Sequence, residues 1–417
     1  MLSQQNNDRL TLVEQGAPMA GMLRENFWFP FALSAAVIAG APPERVRLLG
    51  ENFVVFRAED GRVILLDEAC PHRRASLLLA RVEGCALRCI FHGWKIDVTG
   101  EVVEVPSEGE RAATWGKNVQ VNHYPVFENG GLLWAWLGRG EPRAKPKMPF
   151  FDLPAESLWM SRTVARCNWF QGVEGTLDTI HVQTLHDSWL RPYREKASET
   201  IGHTFGAAPR YEVQETSYGL RAAAIRQMDD ASRYYRVTEY IAPFTSLTPG
   251  RNDTAATVFI AVPVDNEHHL LFWGHYDRSG PVRYGDEQGL GMLAAEGLSY
   301  DINNFANIAL NAEERWGQDR VAMVAGHFSG FQRCVTDEDV VVQQSMGPIT
   351  DRTNEQLCSS DVAIVHVRKL ILGYLEQHER HQPVQHYGMA RPIDVVARPG
   401  FDWRSGAPLP TGAGRGD

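Results

Sequence analysis

The sequence predicts an α+β protein in which a small all-β domain precedes a larger domain of strands and helices. Three observations indicate this order. Short apolar and β-branched runs divided by turn residues fill the chain from about residue 40 to 140, and a proline-rich stretch follows at 141–149. Beyond that stretch, helical and strand patterns are mixed. A length of 417 residues with 44% hydrophobic content suits a folded chain of about two or three domains.

The predicted β domain rests on repeated strand–turn–strand patterns. Residues 46–67 contain two such turns, Gly-Glu-Asn and Glu-Asp-Gly, and the pattern continues through 95–105 and 131–138. Three prolines within 141–149 stop both helix and sheet, so this stretch is predicted to be a linker. The predicted boundaries are 1–40 for an N-terminal lead-in packed on the larger domain, 41–150 for the β domain, 151–395 for the larger domain and 396–417 for a flexible tail.

The larger domain is predicted to open with a helix over Asn168–Asp187, where small and polar residues separate apolar ones. Strands follow from about 211 to 277. Further helices are predicted near 286–316 and 360–379. The second of these begins with Ser359-Ser360-Asp361, residue types that cap helix N-termini.

Charge and composition exclude several classes of protein. Asp and Glu outnumber Lys and Arg by 51 to 41, a net charge of −10, which argues against broad contact with nucleic acid because that requires a basic face. The longest mainly apolar stretch, 31–42, is too short to cross a bilayer, which takes about 20 residues. The first residues lack the pattern of a secretory signal, so we expect a cytoplasmic protein in which metal or redox use of cysteine is favoured over disulfide bridges.

Two cysteines and two histidines in the β domain form the first candidate site. The chain carries Cys70-x-His72 and, after sixteen residues, Cys89-x-x-His92, so two tight loops can bring four ligands together. Such a set suits tetrahedral zinc or a [2Fe–2S] centre with cysteine on one iron and histidine on the other. Because zinc fingers usually pair like residues within one loop, the mixed loops favour the iron–sulfur centre over zinc or a chance grouping. Cys85 fits no ligand position and is expected in the core.

A second candidate site follows the predicted linker. Asp178, His181 and His186 form the pattern D-x-x-H-x₄-H, and two histidines with one carboxylate are the ligand set of non-haem Fe(II) oxygenases. On a straight helix His181 and His186 point about 140° apart, so one metal can bind both only if the helix ends or bends between them. Taken alone, the pattern also fits ordinary core or surface histidines.

The two motifs together, in this order and at this separation, resemble the oxygenase component of the Rieske non-haem iron oxygenases, the ring-hydroxylating and demethylating family, over residues 25–395. The resemblance implies an N-terminal Rieske [2Fe–2S] domain and a catalytic α+β domain whose antiparallel sheet is flanked by helices. It implies the cluster ligands Cys70, His72, Cys89 and His92 and the mononuclear Fe(II) ligands His181, His186 and Asp339. Asp337 and Glu338, the acidic neighbours of Asp339, are the alternatives for the carboxylate ligand.

The resemblance gives Asp178 a role other than metal binding. In the family this aspartate links a histidine of one subunit's Rieske cluster to a histidine at the iron of the neighbouring subunit. The assembly that allows this is a head-to-tail trimer, or two stacked trimers. Asn168 and Glu174 are expected near the iron, where polar residues orient the ligand histidines.

Residues 322–330 and 344–355 resemble the phthalate dioxygenase branch of the family. This branch implies a separate flavin- and ferredoxin-type reductase that uses NADH, since the chain has no GxGxxG or P-loop motif. We predict dihydroxylation of a phthalate-like aromatic carboxylate with O₂. The alternatives are a monooxygenase that removes O- or N-methyl groups or cleaves aryl ethers, and a non-catalytic Rieske electron-transfer protein. The candidates for the substrate pocket are Arg221, Arg226, Arg236 and Arg251 as carboxylate partners, together with His275 and His327.

Overall fold

The computed structural model of the chain describes residues 2–111, 119–195, 200–206, 208–228, 231–250, 253–282, 301–306, 308, 310–384, 392–397 and 400–405. Its helices are α1 (Gln4–Thr11), α2 (Pro18–Asn26), α3 (Trp169–Leu177), α4 (Asp187–Glu195), α5 (Arg320–Val324), α6 (Val335–Ser345) and α7 (Val362–Glu379). Its strands are β1 (Trp28–Leu33), β2 (Glu44–Leu48), β3 (Glu51–Arg57), β4 (Val63–Asp67), β5 (Arg81–Val82), β6 (Ala86–Arg88), β7 (Lys95–Asp97), β8 (Val102–Glu104), β9 (His123–Tyr124), β10 (Val126–Asn129), β11 (Leu132–Trp136), β12 (Leu158–Ala165), β13 (Arg210–Glu215), β14 (Gly219–Gln227), β15 (Arg233–Ile241), β16 (Thr245–Pro249), β17 (Ala255–Pro263), β18 (His269–Asp277) and β19 (Ile393–Ala397). None of the described helices is both long and apolar enough to span a membrane.

The β domain consists of two small antiparallel sheets that share an apolar core. Their strand orders are β2-β3-β4-β9 and β5-β6-β7-β8. Val54 and Phe56, on alternate positions of β3, pack in one cluster with Leu87 of β6 and Ile96 of β7. The predicted strand–turn–strand pattern over 46–67 corresponds to β2, β3 and β4.

The N-terminal segment is joined to the larger domain. Helices α1 and α2 pack on α7, and the guanidinium of Arg9 forms two hydrogen bonds with Glu379, at 3.0 and 2.8 Å. Strand β1 pairs with β11 in a sheet of order β1-β11-β10. Residues of this sheet enter the same apolar core as the large sheet. Although β10 and β11 lie within the predicted 41–150 domain, they complete a sheet that begins with the N-terminal segment.

An antiparallel sheet forms the centre of the larger domain, as predicted. Among the described residues its order is β12-β18-β17-β16-β15-β14-β13, and β19 pairs with β15. The register of β15 to β18 places Arg236, Ser246, Phe259 and Trp273 on one face, because side chains alternate along each strand. Helix α3 lies on that face, where Thr176 Oγ1 is 2.9 Å from Ser246 Oγ.

The helix predicted near 286–316 is not formed where the structure describes this stretch. Residues 286–300 lie outside the described part, and from 301 onward the chain forms turns. Asp301 and Asn311 each accept a hydrogen bond from the backbone N–H two residues further along, at 2.8 and 2.9 Å. Such local hydrogen bonds from side chains to the backbone compete with helical backbone hydrogen bonds. The helix prediction did not take them into account.

The prediction of a flexible tail over 396–417 is wrong for the residues that the structure describes there. Trp403 is only 2% exposed. Its indole Nε1 donates to a carboxylate oxygen of Glu212 at 3.3 Å, and the guanidinium of Arg221 lies 5.7 Å from its ring centre. Burial of this large aromatic side chain holds 400–405 against the sheet. The residues after 405 lie outside the described part.

Helix α3 approaches the sheet closely at Gly172. A Cβ atom at this position would lie 2.5 Å from His269 Nε2 and 2.8 Å from Ala261 Cβ. We expect Gly172→Ala to lower the free energy of unfolding by about 1–3 kcal/mol, because both neighbours are buried in the sheet and cannot move away freely. The measurement is the melting temperature followed by circular dichroism.

The matched control for this substitution is Gly373→Ala in α7. Nothing lies within 4 Å of a Cβ atom at Gly373, and alanine has the higher helix propensity, so the melting temperature should stay the same or rise. A melting temperature of Gly172→Ala equal to that of the wild type would contradict the tight packing of α3.

Two candidate metal centres

The first candidate centre lies where two tight loops of the β domain meet. One loop is closed by a hydrogen bond from the Arg74 N–H to the Cys70 carbonyl at 2.9 Å, and the other by one from the Gly93 N–H to the Cys89 carbonyl at 3.0 Å. Gly93 has a φ of +75°, the left-handed conformation that a tight turn favours for glycine. The loops bury both thiols, whereas the imidazoles of the same two loops are exposed.

Like residues are neighbours across the two loops. The ring centroids of His72 and His92 are 4.4 Å apart, and His72 stacks on Trp94 at 4.6 Å with an interplanar angle of 5°. Burial, followed by the neighbouring Cys89 thiol, raises the pKa of Cys70 to about 11. Burial disfavours the thiolate form of a cysteine, and a bound cation favours it. Cysteine beside cysteine and histidine beside histidine fit the two irons of a [2Fe–2S] cluster.

An apolar and cationic rim flanks the exposed imidazoles. Ile90 and Phe91 are 59% and 55% exposed, and the rings of Phe91 and His92 are 3.9 Å apart. The guanidinium of Arg73 lies 5.4 Å from the centre of the Phe91 ring. Large apolar side chains that stay exposed next to each other are typical of contact surfaces.

The second candidate centre begins where α3 ends. The helix stops at Leu177, and Asp178 follows as its C-cap residue. His181 lies in the next short turn, and His186 directly precedes α4. The helix predicted over Asn168–Asp187 therefore ends before both histidines, and their spacing is not constrained by one helix.

Helix α6 brings a carboxylate to both histidines. Oδ1 of Asp339 lies 3.3 Å from Nε2 of His181 and 3.1 Å from Nε2 of His186. The ring centroids of the two histidines are 5.0 Å apart, at an angle of 78°. The three donor atoms, one from each residue, all lie within 4.8 Å of one another.

The other nitrogen of each ring faces a different carboxylate. Nδ1 of His186 lies 2.6 Å from Oε2 of Glu338, and Nδ1 of His181 lies 3.5 Å from Oδ2 of Asp178. Both histidines thus turn Nε2 toward Asp339. This arrangement leaves the two Nε2 atoms and Asp339 as the inner donor set, with the other carboxylates behind the rings.

Three consecutive acidic residues of α6 point in different directions. Asp339 faces the two histidines, whereas Glu338 contacts only the far side of one ring. Asp337 forms an ion pair with Arg333 at 2.6 Å. Of the three carboxylates that the sequence offers, the structure brings Asp339 to the centre.

The charges of the second centre attract a cation. Burial lowers the pKa of His181, but the hydrogen bonds and charges of Asp178 and Asp339 outweigh it and raise that pKa to about 10. Burial raises the pKa of Asp339, and the charges and hydrogen bonds of His186 and His181 more than reverse this, so the pKa lies well below its usual range. Two imidazoles that favour a positive charge, beside an ionised carboxylate, fit a divalent transition metal such as iron in place of the protons.

Asn168 and Glu174 are engaged away from the histidine rings. Asn168 is the N-cap of α3, where it accepts the Phe170 N–H at 3.0 Å, and its amide donates to two backbone carbonyls of neighbouring segments at 2.9 and 2.8 Å. Glu174 accepts hydrogen bonds from Arg352 at 2.7 Å and Arg368 at 2.6 Å. The structure brings neither side chain to the ligand rings, because each already closes a contact between chain segments.

Two of the four candidate arginines share the sheet face that carries the second centre. They are Arg226 and Arg236. Nη2 of Arg226 lies 3.4 Å from the side-chain oxygen of Gln183, a residue between His181 and His186 in the sequence. Arg221 points to the other face, where it pairs with a buried glutamate at 2.7 Å. Arg251 lies outside the described residues.

The remaining candidates for the substrate pocket, His275 and His327, have local hydrogen-bond partners. The structure also shows a contact behind His186 that was not predicted. Nδ1 of His275 lies 3.2 Å from Thr257 Oγ1, and Nδ1 of His327 accepts a backbone N–H at 3.0 Å. The unpredicted contact is the short hydrogen bond that Ser329 donates to Glu338, behind the ligand histidine. The sequence offers Glu338 only as an alternative ligand, since nothing local indicates a contact with a histidine 152 residues away.

Two family descriptions match the chain. Residues 27–125 match the Rieske [2Fe-2S] domain, and residues 135–397 match the family described as LigXa C-terminal domain like. The phthalate 4,5-dioxygenase oxygenase subunit of Pseudomonas putida is 36% identical over 393 residues, which cover 90% of this chain and 86% of that protein. The 3-chlorobenzoate-3,4-dioxygenase oxygenase subunit of Comamonas testosteroni is 33% identical, with 90% and 89% covered. The 5,5'-dehydrodivanillate O-demethylase oxygenase subunit of a Sphingobium species is 27% identical, with 99% and 87% covered.

Solved structures share the fold. The terminal oxygenase of carbazole 1,9a-dioxygenase from Novosphingobium sp. KA1 superimposes with a TM-score of 0.55 at 22% identity, covering 85% of this chain and 94% of that one. The paired cysteines and histidines lie within the first matched region, and the second centre lies within the other. The chain therefore belongs to the Rieske non-haem iron oxygenases, as an oxygenase component with an N-terminal Rieske [2Fe–2S] domain.

Proposed function

We propose that this chain is the oxygenase component of a system that dihydroxylates a phthalate-like aromatic carboxylate with O₂, using electrons from NADH through a separate flavin- and ferredoxin-type reductase. The observation that carries the proposal is the convergence of His181, His186 and Asp339. It occurs in a chain that is similar, over most of its length, to two oxygenase subunits named for dioxygenation of aromatic acids.

The proposed ligands divide the work between two centres. Cys70, Cys89, His72 and His92 hold the [2Fe–2S] cluster, and His181, His186 and Asp339 hold a mononuclear Fe(II). An iron with two histidines and one carboxylate keeps open positions for O₂. Because the thiols are buried and the imidazoles are exposed, the histidine side of the cluster would be the side that faces electron-transfer partners.

Buried arginines support a carboxylate substrate. Arg236 is 7% exposed, its Nε has no hydrogen-bond partner in the described part of the chain, and its Nη1 lies 3.5 Å from Asp394. Thr238, on the same face of β15, likewise buries a hydroxyl without a partner among the described residues. Arg226 lies on the same face of the sheet. A substrate carboxylate would satisfy the unpaired donors and balance the charge.

Arg236→Gln is expected to raise the KM for phthalate about 10- to 100-fold, because a hydrogen bond to a charged group is worth about 1.5–3 kcal/mol. The kcat should change less, since the proposed metal ligands remain in place. The measurement is steady-state product formation with the reductase present. Arg233→Gln, an exposed position on the same strand, is the control and should keep the wild-type KM. An unchanged KM in Arg236→Gln would contradict the carboxylate contact.

Removal of methyl groups by monooxygenation is the second candidate function. It is favoured by the likeness to the O-demethylase oxygenase subunit, which extends over nearly the whole chain. The products separate the two functions, because dihydroxylation yields a cis-dihydrodiol and demethylation yields a phenol and formaldehyde. Incubation with phthalate and with methoxylated benzoates, followed by mass spectrometry, decides between them.

The proposed cofactors are tested by an iron count with EPR spectra before and after reduction. A rhombic signal on reduction and about three irons per chain support both centres. About two irons with the same signal would leave a Rieske electron-transfer protein without the mononuclear site. A colourless protein that contains zinc would contradict the proposal.

The proposed partners contact the chain at two places, the rim of the first centre and Asp178 beside the second. The rim of Arg73, Ile90 and Phe91 is suited to an acidic electron carrier, since it combines a cation with apolar contact area. Asp178 is 27% exposed, which is compatible with a contact to a neighbouring subunit in a head-to-tail trimer or stacked trimers. The reducing cytoplasm, where thiols remain free to bind iron, is the proposed location.

A further inference from the structure

The two histidines of the second centre are held very differently. Nδ1 of His186 lies 2.6 Å from Glu338, and the two side chains are 7% and 0% exposed. Nδ1 of His181 lies 3.5 Å from Asp178, and these two side chains are 24% and 27% exposed. One ring therefore has a short, buried contact with a carboxylate, and the other has a long contact close to solvent.

Glu338 uses both of its carboxylate oxygens. Oε2 accepts a hydrogen bond from the imidazole of His186, and Oε1 accepts one from the hydroxyl of Ser329. If Nε2, which faces Asp339, binds the proposed metal, Nδ1 is the nitrogen left to donate to Glu338. The ionised form of a carboxyl group accepts at both oxygens, so it suits these two contacts.

Glu338 and Asp339 contact opposite nitrogens of the same ring. They are consecutive residues of α6, and consecutive helical side chains point about 100° apart, so the two carboxylates approach His186 from two sides. A single turn of one helix therefore determines both the position and the tautomer of this ring. Ser329, from the segment before the helix, holds the outer carboxylate in place.

The charge of Glu338 has to be balanced within the site. A buried carboxylate is costly unless an opposite charge lies near it. The nearby cation Arg333 is already paired with Asp337. Glu338 and Asp339, with Asp178 beside the other ring, bring three carboxylates to two imidazoles, an arrangement that favours a bound cation.

We propose that Glu338 is a positioning residue that fixes His186 for metal binding and completes the charge of a divalent metal site. The inference rests on the proposed metal centre and extends it to a residue that does not itself bind the metal. Asp178, with its long and half-exposed contact, contributes little to metal affinity by comparison.

The test measures the affinity of chelator-treated protein for Co²⁺, by competition with a chromophoric chelator. Rieske absorption and circular dichroism are recorded as checks of the cluster and the fold. We expect Glu338→Gln to weaken Co²⁺ binding about 10- to 100-fold, because glutamine keeps the shape of the side chain without its charge. The matched control is Asp337→Asn, which removes a buried carboxylate from the same helical turn and should leave the affinity unchanged.

A second readout separates charge from mere packing. A nearby negative charge stabilises the more oxidised state of a bound iron, so its loss in Glu338→Gln should raise the reduction potential of that iron. Asp337→Asn should keep the wild-type potential. Weaker Co²⁺ binding without a change of potential would overturn the charge part of the proposal.

Ser329→Ala keeps the test decisive if Glu338→Gln does not fold. It removes one hydrogen bond to Glu338 at almost constant volume, and weaker Co²⁺ binding than in the wild type is expected. Wild-type affinity in Glu338→Gln, or in Ser329→Ala where that is the folded variant, would overturn the inference. A wild-type protein that binds no Co²⁺ would instead overturn the proposed metal centre itself.

Discussion

Asp339→Ala is expected to abolish oxygenase turnover while the EPR signal of the Rieske cluster stays unchanged. The substitution removes the oxygen that lies 3.3 and 3.1 Å from Nε2 of His181 and His186. Two imidazoles alone hold iron weakly, so the metal leaves the site. We expect turnover to fall at least about a thousandfold, because a bound metal supplies several kcal/mol of stabilisation. Product formation and the iron count, which should fall by about one per chain, measure the effect.

Asp337→Asn is the control for this experiment. It removes another aspartate carboxylate, two positions earlier in α6, that pairs with Arg333, and should keep both iron and turnover. Full iron content and turnover in Asp339→Ala would mean that another residue provides the carboxylate ligand. Loss of iron in the control as well would mean that the helix, and not the ligand, was disturbed.

Asp178→Asn is expected to keep its iron and to lose about a hundredfold in turnover coupled to electron supply. Asparagine can still accept the Ile180 N–H, which Asp178 Oδ1 accepts at 2.8 Å, so the turn after α3 should persist. What is lost is the charge beside Nδ1 of His181, and with it the proposed connection to the cluster of the neighbouring subunit. Iron content and product formation in the presence of the reductase are the two measurements.

Asp187→Asn is the control for Asp178→Asn. Asp187 lies in the same stretch and pairs with Arg191 at 2.6 Å, so turnover should be normal. Normal turnover in Asp178→Asn would rule out the bridging role. Loss of iron in that variant would indicate that Asp178 holds the metal centre together instead of connecting it to the cluster.

Short-range motifs made much of the site predictable. The mixed loops at Cys70 and Cys89 depend on residues two and three positions apart, and the structure pairs their thiols and their imidazoles across the loops. The spacing of His181 and His186 requires a break in the helix, and α3 ends before both. Strands between 211 and 277 were predicted from the sequence, whereas their antiparallel sheet was an expectation from the family resemblance.

Contacts between distant segments could not be predicted from local patterns. Asn168 precedes an apolar helix and is its N-cap. Asparagine can serve either as an N-cap or as a partner of a metal ligand, so the sequence does not show which role it has. The role of Glu174 could not be predicted either, because its partners Arg352 and Arg368 lie far along the chain. Glu338 contacts His186 only because α6 packs beside the end of α3.

The pairing of β1 with β11 makes the Rieske module an insertion. The module enters after β1 and leaves before β10, and these two strands belong to one sheet with β11 between them. It is therefore attached at two points, and one face of its first sheet packs into the main core through Phe53, Val55 and Leu65. A carrier domain that swings on a single tether is excluded by this connectivity. The position of the first candidate centre within the chain is therefore set when the chain folds.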